Sequence, residues 1–323
     1  MNGRNERRDQ EIGPEEEFAL SGSDKTLSYN FCWIKGKRWT MEDSHLAIKL
    51  GNIWVFAIFD GHGGKEASEI LPDIIQRVLK DKIINFVANS NIPKSMKNCK
   101  SNLEKITKAT DILTAEQSKS ILLEVFEETD KKLYHRLKIY DIKNVGATAA
   151  LVLVHKNFIT TAHCGDSRIH LYENGGQEIL HSTKDQKPND PIEKSRIENN
   201  GGTVVINRVM GDLAVARAFG DFQYKKLGGK FESYKPHFTI TGDLVICKPE
   251  ISVFDRTRED SDNNISGIMI CCDGVTDVLS DKDILEIYMN TRNEDTGSSG
   301  LVRSAFANKS QDNISAGIIL LKS

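Results

Sequence analysis

Two continuous hydrophobic runs in this chain end on an aspartate followed by glycine. Residues 53–59 run into Asp60-Gly61-His62-Gly63-Gly64, and residues 268–272 run into Asp273-Gly274. Runs of that length and composition read as buried strands, so each aspartate falls where a rigid strand gives way to a loop. Glu42, Asp43, Asp166, Asp277 and Asp312 punctuate the chain in the same way. Carboxylates converging at strand ends repel one another unless cations lie between them. The pattern is that of a site for a hard metal held by oxygen ligands.

With 323 residues, 39% of them hydrophobic, the chain can bury a substantial core in one large domain or two average ones. Its net charge of −3 provides no general basic field, so nucleic acid is not expected as a partner. The six cysteines are scattered without C-x-x-C spacing, and the N-terminus does not resemble a signal peptide. A reducing, intracellular compartment, cytoplasmic or nuclear, is therefore expected. No apolar run approaches the roughly 18 residues of a membrane span. Asn2 after the initiator methionine argues against myristoylation.

Residues 1–24 are polar, carry the run Glu15-Glu16-Glu17 and read as a tail ahead of a domain over 25–323. Strands are expected over 27–34 and 53–59, and a helix over 65–80 with a kink or restart at Pro72. Residues 89–111 are polar and lysine-bearing, the composition of a solvated insertion. Thr114-x-x-Gln117 fits a capping box, and Ile121, Val125, Leu133 and Leu137 mark one face of the long helix that follows. Strands over 149–154, 158–164, 169–172 and 177–180, separated by short turns, read as an antiparallel meander. A short helix over 192–200 stops at Gly201-Gly202, and two strands flank a Gly/Lys/aromatic segment over 222–242. Ser280-x-x-Asp283 caps another helix, and residues 314–321 form the last strand. Strands and helices in blocks, without regular βαβ alternation, indicate an α+β chain of antiparallel sheets covered by helices.

Asp and Glu oxygens without His or Cys at ligand spacing suit Mg²⁺ or Mn²⁺ rather than zinc or copper. Two such ions bridged by a carboxylate activate water near neutral pH for in-line attack on phosphorus, which makes a phosphoryl ester the natural substrate. Arg38, four residues before Glu42, adds a planar fork matched to phosphate oxygens. His62, in the Gly-rich turn beside Asp60, can protonate the departing oxygen.

The order of motifs resembles the metal-dependent protein serine/threonine phosphatases of the protein phosphatase 2C type. The likeness runs through Arg38-Trp-Thr-Met-Glu-Asp43, Phe59-Asp-Gly-His-Gly-Gly64, Gly146-Ala-Thr-Ala149 and Cys164-Gly-Asp-Ser-Arg168. It continues through Leu213-Ala-Val-Ala-Arg-Ala-Phe-Gly-Asp221, Cys272-Asp-Gly-Val-Thr-Asp277 and Ser310-Gln-Asp-Asn-Ile314. These seven blocks cover nearly the whole chain beyond Thr26. The resemblance implies a four-layer α/β/β/α sandwich with two central antiparallel sheets, acting on phosphoproteins as a monomer. It implies that Asp60 bridges two metals, that the Gly61 carbonyl, Asp273 and Asp312 are further ligands, and that Glu42 and Asp43 hold metal-bound waters or ligands. Arg38 would grip phosphate, His62 would be the general acid, and Asp166 and Asp277 would serve a weaker third metal. A flap beside the active site falls within 188–242. Gly146-Ala-Thr-Ala149 and Ala216-Arg-Ala-Phe-Gly-Asp221 read as architecture rather than chemistry.

Thr276, Gln186 and Met210 depart from residues frequent in the family, and none is a metal ligand. These changes are expected to alter packing or flap geometry and to leave the chemistry in place. Two rival phosphatase chemistries fit less well. Cys32 and Arg38 match C-x5-R, but the residues between them read as a strand and turn. An aspartyl-phosphate enzyme would want Asp two residues before Asp273, where Cys271 stands. Zinc at His163-Cys164 or Cys271-Cys272 is disfavoured because adjacent strand residues point to opposite faces. The alternatives in other classes are a pseudophosphatase that binds without catalysis, which should have lost a metal carboxylate or Arg38, and a hydrolase of small phosphoesters.

Overall fold

A computed structural model describes residues 17–89, 101–173, 178–228, 240–257, 265–291 and 297–322. In chain order the strands are β1 (Phe18–Ser23), β2 (Leu27–Ile34), β3 (Ser44–Leu50), β4 (Ile53–Phe59), β5 (Gly61–His62), β6 (Gly146–Ala147), β7 (Ala149–Val154) and β8 (Phe158–Cys164). They continue as β9 (Arg168–Glu173), β10 (Glu178–Ser182), β11 (Val204–Val205), β12 (Arg208–Val209), β13 (Phe219–Gly220), β14 (Glu250–Asp255), β15 (Ile265–Cys271) and β16 (Ile314–Leu321). The helices are α1 (Glu66–Asn89), α2 (Asn102–Asp111), α3 (Ala115–Ile139), α4 (Pro191–Asn199), α5 (Asp273–Thr276), α6 (Asp281–Thr291) and α7 (Gly297–Ala307).

Two antiparallel sheets form the centre, one in the order β1-β2-β16-β15-β9-β10 and the other β14-β8-β7-β4-β3. The period-2 alternation of strand side chains explains why β4 and β7 are apolar throughout. Val55, Ala57 and Phe59 face Leu71, Ile75, Val125 and Leu133 of α1 and α3, while Phe56 and Ile58 face the other sheet and meet Phe31, Ile268 and Ile319. The far face of the six-stranded sheet, with Met269, Cys271, Ala316 and Ile318, packs on Ile284, Tyr288, Leu301 and Val302 of α6 and α7. Helices, sheet, sheet and helices therefore stack as four layers. The α3 capping box forms, with Thr114 N donating to Gln117 Oε1 and Gln117 N to Thr114 Oγ1. Ser280 and Asp283 cap α6 reciprocally.

Four expectations need correction. Residues 18–23 belong to no tail: they form β1, paired with β2 from Phe18↔Trp33 to Ser23↔Ser28. An edge strand exposed along most of its length has no need of an apolar pattern, and residues 1–16 lie outside the described residues. Within 89–111, residues 102–111 form α2, capped by Ser101 and burying Ile106, Ala109 and Thr110; residues 90–100 lie outside the described residues. Helix α1 runs on through Pro72 to Asn89, without a restart and beyond the expected end at residue 80. The meander is broken, because β8 lies in one sheet and β9 in the other. Its turn Gly165-Asp166-Ser167 crosses between the sheets, with Gly165 at a φ of +111°. That crossing carries Asp166 into the site.

Beside the sandwich, α4, the β11–β12 hairpin and residues 213–224 share a small core built on Ile197, Val209, Tyr224 and Leu244. The hairpin turns through Ile206 and Asn207, both at positive φ (49° and 59°), the twist that a two-residue turn requires.

Candidate metal and phosphate site

Asp60 follows the last residue of β4 at the end of the sandwich, where β5, β6 and β13 form a three-stranded patch. Oxygen atoms of Asp60, Asp166 and Asp273 lie within 4.8 Å of one another, and so do ligand atoms of Asp43, Asp60 and Cys272. Asp60 belongs to both groups. Burial and the charges of Asp273, Asp43, Asp166 and Asp312 drive its carboxyl well above the ordinary carboxylate range. Burial and Asp166 do the same to Asp273. For Asp43 burial dominates, opposed by the Ser315 hydroxyl that donates to its Oδ2 at 2.6 Å, and the net result is a pKa of about 6. Asp43 Oδ1 is buried without a hydrogen-bond partner.

Mutually repelling buried carboxylates and an orphaned oxygen are what a cation would relieve. The donor set fits a hard divalent ion. Cys272 is an unsuitable ligand beside Asp43 and Asp60, because its Sγ donates to Asn313 O at 3.5 Å and burial lifts its thiol far above the ordinary range.

The remaining expected residues surround these two groups. Asp312 accepts from Arg38 Nη2 at 2.7 Å through Oδ2 and from Asn313 N at 2.7 Å through Oδ1. It stands outside both groups but within electrostatic reach of Asp60 and Asp273. Glu42 also lies outside them, with Oε1 on the Thr40 hydroxyl and Oε2 on Gly64 N. Its carbonyl accepts from Ser68 Oγ and lies 2.4 Å from where a Cβ at Gly61 would sit, so only glycine fits there. Asp277, at the end of α5, is exposed and feels both Asp166 and Lys187. Lys187 Nζ donates to Asp166 Oδ2, which ties the 182–190 segment to the sheet crossing.

His62 Nε2 lies 2.7 Å from Oδ2 of Asp221, a carboxylate only 1% exposed. Burial works against the imidazolium, but the Asp221 charge and hydrogen bond outweigh it, so the pKa of His62 is raised and the ring stays protonated to higher pH. Gly146 makes room for this pair: a Cβ there would lie 2.3 Å from Asp221 Oδ2 and 2.5 Å from His62 Nε2. Asp221 itself has a φ of +50° and is fixed by N–H donation to Val145 O at 2.9 Å. Behind it, Gly220 N donates to Asp130 Oδ1 at 2.8 Å, and the buried Lys225 ammonium bridges Asp130 Oδ2 and Ala218 O at 2.8 Å each.

A family model described as Protein phosphatase 2C matches residues 27–314. The chain belongs to that family. It is 32% identical over 289 residues to Protein phosphatase 1B of Homo sapiens, a match covering 86% of this chain and 53% of that protein. It is 31% identical over 290 residues to Protein phosphatase 1A of Bos taurus, covering 87% of this chain and 66% of that protein. The chain thus spans less than two thirds of the length of either relative. The crystal structure of serine-threonine phosphatase 2C from Toxoplasma gondii superposes with a TM-score of 0.71 at 22% identity, over 95% of this chain and 99% of that one, and shares the fold.

Against the family's motif order, reading the sequence placed the carboxylates but missed their partners. Asp221 and Asn313 stand in the quoted blocks and Lys187 and Ser315 outside them, and nothing in a one-dimensional pattern pairs Asp221 with a histidine 159 positions away. Gly146 likewise read as architecture, whereas its missing side chain is the space in which His62 meets Asp221. Cys32 is buried in β2, with its thiol pushed by burial and by Glu17 to about 12, the opposite of an activated nucleophile. Among the described residues, no helix is long and apolar enough to cross a membrane.

Proposed function

We propose that this chain hydrolyses phosphoserine and phosphothreonine in proteins, using two Mg²⁺ or Mn²⁺ ions that share Asp60. The observation that carries the reading is the convergence of Asp60 with Asp43 on one side and with Asp166 and Asp273 on the other, beside Arg38 and His62. Asp43, Asp60, Asp273, Asp312 and the Gly61 carbonyl would hold the ions, Glu42 would steady the loop above them, and Asp166 with Asp277 would hold a third. Bound there, the ions would supply the charge that turns water into a nucleophile near neutral pH and neutralises phosphate oxygens.

The chain's own residues do the rest. Arg38 presents a half-exposed guanidinium whose planar fork can take two phosphate oxygens. With Nε2–H directed at Asp221, the other ring nitrogen of His62, Nδ1, is the one that carries a transferable proton to the serine or threonine oxygen as it leaves. Asp221 orients the ring and favours its charged form, the role of a carboxylate behind a catalytic histidine. The function is tested with phosphoserine, phosphothreonine and phosphotyrosine peptides, with and without Mn²⁺. Metal-dependent release of phosphate from the first two is expected, and turnover of small phosphoesters alone would favour a metabolic hydrolase.

A general acid matters in proportion to how badly the leaving group needs a proton. His62→Gln is therefore expected to slow phosphopeptide hydrolysis by roughly 10²–10⁴-fold and to slow p-nitrophenyl phosphate hydrolysis much less. Equal losses of kcat on the two substrates in saturating Mn²⁺ would remove His62 from this role. Gly146→Ala drives a methyl into both members of the His62–Asp221 pair and is expected to show the same leaving-group dependence in a folded protein. Normal phosphopeptide turnover by Gly146→Ala would show that the pair is dispensable.

A further inference from the structure

Trp39 is 98% exposed, while the other two tryptophans, Trp33 and Trp54, are half-buried and stacked on His45 and Phe56. An indole left wholly in water forgoes the largest apolar burial any side chain offers, and tryptophans in such positions are favoured at binding surfaces. Its place is fixed. Asn313 clamps the loop around it by donating from Nδ2 to Lys35 O at 2.8 Å and to Thr40 O at 2.9 Å, and by accepting from Glu42 N at 2.8 Å. Gly36, at a φ of +63°, lies so close to Asp312 that a Cβ would approach the Asp312 carbonyl to 2.2 Å. The residue before Trp39 is Arg38, whose guanidinium is on Asp312, and the residue after it is Thr40, whose hydroxyl is on Glu42. The indole therefore projects into solvent from a backbone held by these contacts, at the edge of the site that would take the phosphate.

Resting on the phosphatase reading above, we infer that Trp39 is a specificity-determining residue that packs against the substrate side chain next to the phosphorylated one and selects a bulky apolar or aromatic residue there. Exposed Lys35, Lys37 and Arg38 give the loop that carries Trp39 a positive charge, so a basic neighbour on the substrate is disfavoured despite the attraction of a π-face for cations. Apolar packing made equally in the ground and transition states changes KM rather than kcat.

The test uses one phosphothreonine peptide with Leu, Phe, Gly or Lys at each flanking position, assayed in saturating Mn²⁺ with the wild type, Trp39→Ala and Trp39→Phe. The wild type should prefer Leu or Phe over Gly by roughly 10-fold or more in kcat/KM, expressed in KM, with Lys disfavoured. Trp39→Ala should flatten that ratio towards unity and Trp39→Phe should retain part of it. A non-hydrolysable phosphonate analogue of the Phe peptide should shift the emission of the wild type to shorter wavelength, and Trp39→Phe should lose that shift. The same preference in Trp39→Ala as in the wild type, or a wild type indifferent to the flanking residue, overturns the inference while leaving the phosphatase reading intact. A wild type that hydrolyses none of the peptides overturns that reading and this inference with it.

Discussion

Asp60→Asn is expected to abolish metal-dependent turnover and, in the cation-free protein, to raise stability at pH values above the unfolded carboxylate pKa of about 4. Asp60 is the only residue common to the two ligand groups found among the described residues, so the substitution weakens both at once. Changes to residues that merely support a metal ligand lower affinity or activity by about 10–100-fold, and loss of a shared ligand should exceed that range. The effect on stability has the opposite sign. Because the folded protein holds the Asp60 carboxyl well above its unfolded value near 4, ionising it disfavours the fold. Its stabilising contribution is complete below the unfolded pKa and is lost as pH rises through the folded one. Asp43, with a folded pKa of about 6, loses its share as pH rises from about 4 through 6.

EDTA-treated wild type should therefore lose Tm as pH rises above about 4, and Asp60→Asn should lose less, with the curves converging at the acid end. Adding Mn²⁺ should raise the Tm of the wild type by mass action and that of the variant much less. Full Mn²⁺-dependent activity in Asp60→Asn would contradict the site. Identical pH–stability curves for the two cation-free proteins would show that the carboxylates are not in repulsive contact.

Lys225→Met is the substitution expected to destabilise the fold most. Burial disfavours the Lys225 charge, yet the neighbouring Asp130 more than offsets it and holds the ammonium above its ordinary pKa. Removing the cation leaves the Asp130 carboxyl, which burial already holds above its ordinary pKa, with Gly220 N and the Cys247 thiol as its remaining partners. Breaking one partner out of a buried pair typically costs about 3–5 kcal/mol, a large part of a domain's total stability. The loss also reaches function, because Asp130 and Lys225 hold the Ala218–Gly220 backbone on which Asp221 and His62 are set. Urea unfolding should show the decrease at an unchanged slope. The double variant Lys225→Met/Asp130→Asn should recover part of it, since the amide can still accept from Gly220 N without a stranded charge. A loss below about 1 kcal/mol for Lys225→Met would mean that Asp130 finds solvent or another partner.

What the amino-acid order determined by itself was the set of elements whose signals are local. The apolar runs at 53–59 and 314–321, the Thr114–Gln117 and Ser280–Asp283 boxes and the glycine stop after Asn200 depend on near neighbours, and all appear in the structure. The aspartates that end strands were legible for the same reason: a polar residue abutting a buried run must lie at its mouth. Elements that draw their stability from a distant surface were not legible. The edge strand β1 lacks an apolar pattern because β2 supplies its contacts, whereas α2 did carry a local signal, Ser101-x-x-Glu104 ahead of the buried Ile106 and Ala109, that the surrounding lysines masked. The crossing at Gly165-Asp166-Ser167 looked like a hairpin because a turn is written in a few residues, whereas the sheet that the next strand joins is decided by which partner buries it. The same distinction divides the site. Residue type marked Asp60, Asp273, His62 and Arg38, but only tertiary structure set Asp221 against His62, Lys187 against Asp166 and Asn313 against the backbone of the loop that carries Trp39. Those pairings depend on distances through space, and sequence separation carries no record of them.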